Sequence, residues 1–250
     1  MNYKKLLITV GCSLILFFSW WSLPATREIW DILDNAVFTT LNGSLAEKSW
    51  WSYSWAIANH RSFDLTAAFF MFVILLSYAR KGETAEEFNK RISTILTGII
   101  YVVISTQLIK LVLSSYDRES ASRTIKGATL LSDLYPGIDP KDSSKNSFPG
   151  DHAIILFSYT ALMFYYGKIR YGLPSLAISI FFSLPRLFSG AHWFTDIAVG
   201  STFMSSLSLG IYMCTPVCTF CETTGNRIYS KLPLTGTVSR WLSGAKNTAG

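Results

Sequence analysis

Charge is scarce in this sequence. Only 15% of the 250 residues are Asp, Glu, Lys or Arg, whereas a soluble domain carries about a quarter. Half of the chain is hydrophobic and the mean hydropathy is +0.30, so an ordinary soluble domain and a disordered chain are both excluded. Four cysteines, 16 glycines and 8 prolines are too few for a disulfide scaffold or a collagen-like repeat. No internal repeat or low-complexity tract is present. Histidine is rarest of the reactive residues, with only His60, His152 and His192.

Long apolar runs take up what charge leaves free. Six stand out, roughly Leu6–Leu23, Phe63–Ala79, Ile92–Leu113, Ala153–Tyr166, Leu173–Phe188 and Ile197–Val217. Six bilayer-spanning helices need ~120 residues, close to the apolar half of the chain. The fold class expected is all-α: one polytopic membrane domain over residues 1–250 with six transmembrane helices. The first run follows Lys4 and Lys5 as a signal peptide would. It is longer than an h-region, however, and no A-x-A cleavage site follows, which favours an uncleaved span.

The net charge of +6 suggests nucleic acid until its distribution is read; it points to a membrane and no nucleic acid. With the N-terminus inside, 12 of the 22 Lys/Arg but only 4 of the 16 acids fall on inner segments. The short Lys168–Arg170 connection carries two of those bases, as the positive-inside rule requires. Both termini are therefore expected in the cytoplasm.

Two outer segments are long, roughly 24–62 and 114–150. The first begins with an amphipathic pattern: Ile29, Ile32, Leu33, Ala36 and Val37 share one side, and Glu28, Asp31, Asp34 and Asn35 the other. Seven of the eight Trp lie in the outer half. A helix along the outer membrane surface within an aromatic belt accounts for both features, and guidance of a lipid substrate is the alternative. Residues 216–250 read as a cytoplasmic tail with no second core. Cys214, Cys218 and Cys221 read as small lipid-facing residues. Asn42-Gly43-Ser44 has glycosylation spacing and is read as a turn.

Chemistry gathers on the outer side. Ser147-Phe148-Pro149-Gly150-Asp151-His152 opens the fourth run, Arg186 closes the fifth, and Gly190-Ala191-His192-Trp193-Phe194-Thr195-Asp196 leads into the sixth. On a helix His192 and Asp196, four apart, share a face. A carboxylate that accepts from imidazole Nδ1 leaves Nε2 as base or nucleophile. Arg186 offers a permanent forked cation for phosphate oxygens. Gly150 at a helix start lets backbone amides approach an anion, and His152 beside it can act as general acid. The outer segments hold no cysteine, which excludes disulfides there and leaves zinc short of ligands. The set reads as a phosphoryl-transfer site with no metal and no other cofactor. At the mouth of the second run, Arg61 and Asp64 either form an ion pair that holds the helix or seat an acceptor head group.

Arg186-x5-His192-x3-Asp196 together with Pro149-Gly150-Asp151-His152 resembles the type 2 phosphatidic acid phosphatase (PAP2) superfamily, related in fold to the vanadium haloperoxidases. The resemblance covers roughly 105–215. With Asn59-x-Arg61-x-Phe63-Asp64 added, it extends to the branch of inner-membrane lipid A phosphotransferases over about 55–215. It implies a PAP2/haloperoxidase-like helical core in which His192 attacks phosphorus, Asp196 orients it, His152 protonates the leaving group and Arg186 binds phosphate oxygens. In the family's first motif, Lys-x6-Arg-Pro, the matching residues are Lys110 and Arg118. Here they are separated by seven residues, with Glu119 where Pro is usual, and Arg123 or Lys126 can stand in for either. Gly150 replaces a Ser of the second motif, Asp151 precedes its His, and Pro185 replaces a Ser in the third.

The resemblance implies a bacterial inner-membrane enzyme with a periplasmic active site. Its donor would be a polyprenyl pyrophosphate such as undecaprenyl pyrophosphate, and its acceptor the 1-phosphate of lipid A. With water as acceptor the same residues make a lipid pyrophosphate phosphatase. The competing class is a non-catalytic lipid-phosphate binder or transporter. Transporters, however, place their polar site near the bilayer midplane rather than at one surface.

Overall fold

The computed structural model describes residues 3–112 and 118–231, and among them there is no β-strand. The helices are α1 (Tyr3–Trp21), α2 (Pro24–Gly43), α3 (Trp50–Ala58), α4 (Phe63–Ala79), α5 (Ala85–Val112), the single turns α6 (Ala121–Thr124) and α7 (Leu131–Leu134), α8 (Asp151–Phe188), α9 (Thr202–Cys214) and α10 (Val217–Ser230). A π-helical turn, Asp196–Ser201, leads into α9. Four helices are long and apolar enough to cross a membrane, or five if the α3–α4 pair, bent by 70°, counts as one crossing. Leu7, Ile15, Leu65, Phe69, Leu108 and Ile169 lie on the surface, as lipid-facing side chains must in a membrane protein.

The six apolar runs do not emerge as six separate helices. The second run becomes α4, only 17 residues long. The fourth and fifth fuse into α8, a 38-residue element broken at Lys168, whose backbone turns to φ 61°. A straight helix would hold residues 160 and 179 about 28 Å apart. Instead the Thr160 and Ser179 hydroxyls meet at 2.7 Å, and Ser179 Oγ donates to the Leu156 carbonyl at 3.0 Å. The two arms of α8 therefore run antiparallel, and both of their far ends return to one side of the protein. Small residues let the arms close: a Cβ on Gly172 would overlap the Phe164 ring.

Small polar residues also seat α1 on α9. Ser13 and Ser206 share a hydrogen bond of 2.7 Å, and Gly210 lies against Thr9, the close approach that small residues permit between membrane helices. At its outer end α1 buries Trp20 in an offset stack on Phe148, with ring centroids 4.4 Å apart. The chain that follows Cys214 does not behave as a free tail. After an extended residue at Thr215 it forms α10, packed along α5. Cys218, Cys221, Gly225 and Tyr229 follow a helical stripe toward α5. Cys218, Cys221 and Tyr229 pack on the core and Gly225 abuts Thr97, so these thiols face protein rather than lipid. Residues 232–250, the rest of the expected tail, and Leu113 lie outside the described residues.

On the site side, α2 exposes Ile29, Ile32 and Leu33 and buries Asp34, Phe38 and Asn42. Of the polar set Glu28, Asp31, Asp34 and Asn35 only Asp34 is buried, while Glu28 and Asn35 stay exposed along with the apolar Ile29, Ile32 and Leu33. Asn42 forms no ordinary turn: its amide donates to the Thr129 and Phe188 carbonyls at 3.0 Å each and accepts from Thr129 N at 2.8 Å. The segment from 118 to 150 is held by bonds of the same kind, such as Ser132 N to the Asp142 carboxylate at 2.9 Å.

Candidate active site

The two arms of α8, the α3–α4 turn and the loop after α7 enclose a cavity of about 600 Å³. Its lining includes Arg61, Asp64, Lys110, Lys141, Asp151, His152, Arg186 and His192. Six of the eight residues expected at the site thus reach one cavity or its floor, where Gly150 also lies beside His152, Arg186 and His192. Arg118 and Asp196 sit behind it.

His192 is not on a helix. It occupies the bend after Gly190, whose φ of +73° and contact with Phe38, where a Cβ would overlap the ring, admit little besides glycine. The face-sharing expected of His192 and Asp196 is therefore replaced by a different arrangement. His192 Nδ1 lies 2.7 Å from the Ser147 carbonyl, while Asp196 Oδ2 is 3.7 Å away, beyond hydrogen-bond distance. A carbonyl only accepts, so Nδ1 carries the proton and the Nε2 lone pair is left for chemistry.

Asp196 has other partners. It accepts from Trp193 N at 2.8 Å and from Arg118 Nη1 at 2.5 Å. Arg118 also donates to Thr195 Oγ1 (2.8 Å) and Asp34 Oδ2 (2.6 Å), and its guanidinium stands over the rings of Trp20 and Trp193. Asp34 further accepts from Thr195 N at 2.8 Å and Thr195 Oγ1 at 2.6 Å. Burial pushes the Asp34 carboxyl up from its ordinary value, and Arg118 and Thr195 pull it back. Arg118, expected to grip phosphate, is thus consumed by two carboxylates, and its guanidinium braces the His192 loop from outside the cavity. Arg123 is spent on an exposed pair with Glu119 at 3.3 Å.

Inside the cavity the charges are less settled. Arg186, buried, donates through Nη1 to Asn59 O (2.8 Å) and Asn59 Oδ1 (2.6 Å), and through Nη2 to Asp64 at 3.1 Å. Asp64 therefore pairs with Arg186, not with Arg61, and lies 3.8 Å from His152 Nδ1. His152 Nε2 is buried with no hydrogen-bond partner among the described residues. Lys110 is bonded to Asp151. Gly150 N donates to the Asp196 carbonyl at 3.2 Å, and Ile154 N is the first amide to close back onto Gly150 O. An anion at this helix start would meet the amides of residues 151–153 rather than that of Gly150.

Two participants were not foreseen from the sequence, Asp34 and Lys141, and Asn59 stood in its motif string with no role assigned. Lys141 is half-buried in the cavity. Burial first, then the facing Arg186 and Arg61 guanidiniums, push its ammonium down from its ordinary value, against the pull of Asp151 and Asp64.

A histidine with a free Nε2, a second histidine, a fixed arginine and a helix start around one cavity form a phosphoryl-transfer constellation. Residues 94–220 match the PAP2 superfamily model. The chain belongs to the PAP2 superfamily. It is 34% identical over 219 residues to the lipid A 1-diphosphate synthase of Escherichia coli (strain K12), a match that covers 86% of this chain and 90% of that protein. No solved structure matches it. As a PAP2 protein it is a multi-pass membrane enzyme of the lipid phosphotransferase/phosphatase type. Among the described residues no group of His, Cys, Asp and Glu is placed to hold a metal ion.

Proposed function

We propose that the protein moves the distal phosphate of undecaprenyl pyrophosphate to the 1-phosphate of lipid A through a phosphohistidine on His192. The observation that carries this reading is the single hydrogen bond of His192 Nδ1 to the Ser147 carbonyl, which directs the nucleophilic lone pair to Nε2. In the first step Nε2 forms a bond to the distal phosphorus as the bridging P–O bond breaks. The electron pair stays on the polyprenyl phosphate oxygen, which takes a proton from His152. In the second step an oxygen of the acceptor phosphate attacks the phosphohistidine, and the P–N bond electrons return to Nε2. Arg186 and the amides at the start of α8 balance the charge that develops on the phosphoryl oxygens. Arg118 and Asp196 act as positioning residues, and Lys110 and Arg61 as substrate cations at the cavity rim. No step calls on a cofactor.

The match to a lipid A 1-diphosphate synthase over most of both chains supports lipid A as acceptor. The antiparallel arms of α8 support six crossings, with α1, α4, α5, each arm of α8 and the Asp196–Cys214 segment counted once. The excess of Lys/Arg on segments opposite the cavity supports a periplasmic site in the bacterial inner membrane and cytoplasmic termini. Residues 24–62 then lie along the periplasmic face, and 105–215 form the catalytic core.

The test uses purified protein and polyprenyl pyrophosphate labelled at its distal phosphate, with and without lipid A. Label that moves to lipid A, with little free phosphate, is the expected result. Release of inorganic phosphate whether or not lipid A is present would assign the phosphatase reaction instead. Binding of the lipid without turnover would assign a carrier.

A further inference from the structure

Any phosphoryl transfer from a diphosphate to a phosphomonoester brings two phosphates into the site at once, and the cations of the cavity divide into two groups. Arg186 is held by Asn59 and Asp64 beside His192, and Lys110 is tied to Asp151. Arg61 and Lys141 line the same cavity, yet neither has an ion-pair partner among the described residues. Lys141 is nonetheless no casual loop lysine. Its backbone amide donates to Asn59 O at 3.1 Å, its carbonyl accepts from Asn59 Nδ2 at 2.5 Å, and Ser189 Oγ donates to that carbonyl at 3.3 Å. Asn59 is fully buried and binds Lys141 and Arg186 at once, so one residue fixes the spacing between them. Two residues further on, the same turn presents Arg61.

We propose that Lys141 and Arg61 form a second phosphate seat beside the one made by Arg186 and His192, occupied by a second phosphoryl group while the first reacts. Two ligands carry that chemistry: the proximal phosphate of the diphosphate donor, or the phosphate of the acceptor. The charge balance agrees. Four fixed cations (Arg61, Lys110, Lys141 and Arg186) face two carboxylates (Asp64 and Asp151); with Arg186 paired to Asp64 and Lys110 to Asp151, the excess of two positive charges sits on Arg61 and Lys141 and matches one phosphate dianion there. Burial first, and then the facing Arg186 and Arg61 guanidiniums, depress the Lys141 ammonium. A bound phosphate would relieve it.

This inference rests on the phosphoryl-transfer reading above, and the experiment keeps the two apart. Full-length wild-type protein and the Lys141→Gln and Arg61→Gln variants are followed by rapid quench in two arms. In the first, labelled phosphoenzyme forms from polyprenyl pyrophosphate or from phosphatidic acid, a donor with a single phosphate. In the second, preformed phosphoenzyme is discharged by lipid A 1-phosphate. The variants should raise the half-saturating concentration of the diphosphate, or of the acceptor, by about tenfold or more, the cost of one lost charge-assisted hydrogen bond. The single-phosphate donor should change much less. The arm that moves names the occupant. Lys141→Arg, which keeps the charge, should recover most of the loss, whereas a folding defect would not respond to charge. Equal losses with all three ligands, or no loss with any, would overturn the second seat. Wild-type protein that forms no phosphoenzyme from either donor would instead overturn the reading beneath it.

Discussion

Two clusters of charge lie back to back across the His192 loop, and they are built on opposite terms. Behind the loop, Arg118 is closed in by Asp34, Asp196, Thr195 and two indole rings. In front, Arg61 and Lys141 line the cavity with no ion-pair partner among the described residues. An ion whose donors are all matched holds its neighbours in place, because removal of one partner strands the others in a dry interior. An ion that lacks a partner is poised for a ligand. Both clusters contain an arginine close to the motif histidine, so residue type alone does not separate brace from ligand; satisfaction of hydrogen bonds does.

Substitutions can break that contrast, and the largest effect is expected between the clusters. His192→Ala should lower turnover by about 10⁴-fold or more, as loss of a nucleophile does, and abolish labelled phosphoenzyme while the melting temperature in detergent stays near wild type. Turnover that survives would remove the covalent route. His152→Ala should come next, with a loss of about 10²–10⁴-fold in phosphoenzyme formation, the usual worth of a general acid. Because that proton serves the leaving group, a donor with a more acidic leaving group should narrow the deficit.

Behind the loop the cost is expected in stability. Arg118→Ala strands Asp34 and Asp196 and should destabilise the fold by about 3–5 kcal/mol, read as a lower thermal midpoint. Arg118→Lys should restore little, since an ammonium cannot fork between two carboxylates. If Arg118→Ala instead left the midpoint unchanged and raised KM, the brace and the ligand would have to exchange places.

The smallest effect sharpens the front cluster. Lys141 works as a cation, its ammonium is depressed by burial and by Arg186 and Arg61, and deprotonation removes its charge as pH rises. KM for whichever ligand occupies the second seat, diphosphate or acceptor, should therefore climb on the alkaline side at a pH below the ordinary lysine value of about 10.4. In Lys141→Arg that limb should move to higher pH, because a guanidinium keeps its charge. An alkaline limb identical in the two proteins would assign the titration to another group.

Much of the fold was legible in the sequence because lipid imposes a one-dimensional rule: a helix that crosses must be apolar along its length. The six runs, the amphipathic α2 and the gathering of His152, Arg186 and His192 on one side all follow from local pattern. What escaped depends on contacts between residues far apart in sequence. Asp34 has the helical position of a polar-face residue, and nothing local says that it alone of that face is buried, against Thr195. Asn59 and Lys141 are 82 residues apart; Asn59 opens a motif string that says nothing of a partner so distant, and Lys141 is in no motif. The i,i+4 spacing of His192 and Asp196 suggested a helix, but the φ of Gly190 and the bend after it moved the imidazole to the Ser147 carbonyl. α10 lacks a long apolar run, and it packs on protein through the stripe of Cys218, Cys221, Gly225 and Tyr229.

The hairpin in α8 makes the geometry of the site a matter of counting. His152 and Arg186 stand at the tips of two arms that turn at Lys168 and are pinned to each other by Thr160, Ser179 and Leu156, like the jaws of tongs with one pivot. An inserted residue anywhere between 153 and 167 would advance one jaw by ~1.5 Å and turn it by ~100° while the other stayed still. Length is therefore held in both arms as strictly as chemistry is held at their tips. Segments well away from the cavity, where many side chains are interchangeable, tolerate replacement but not addition.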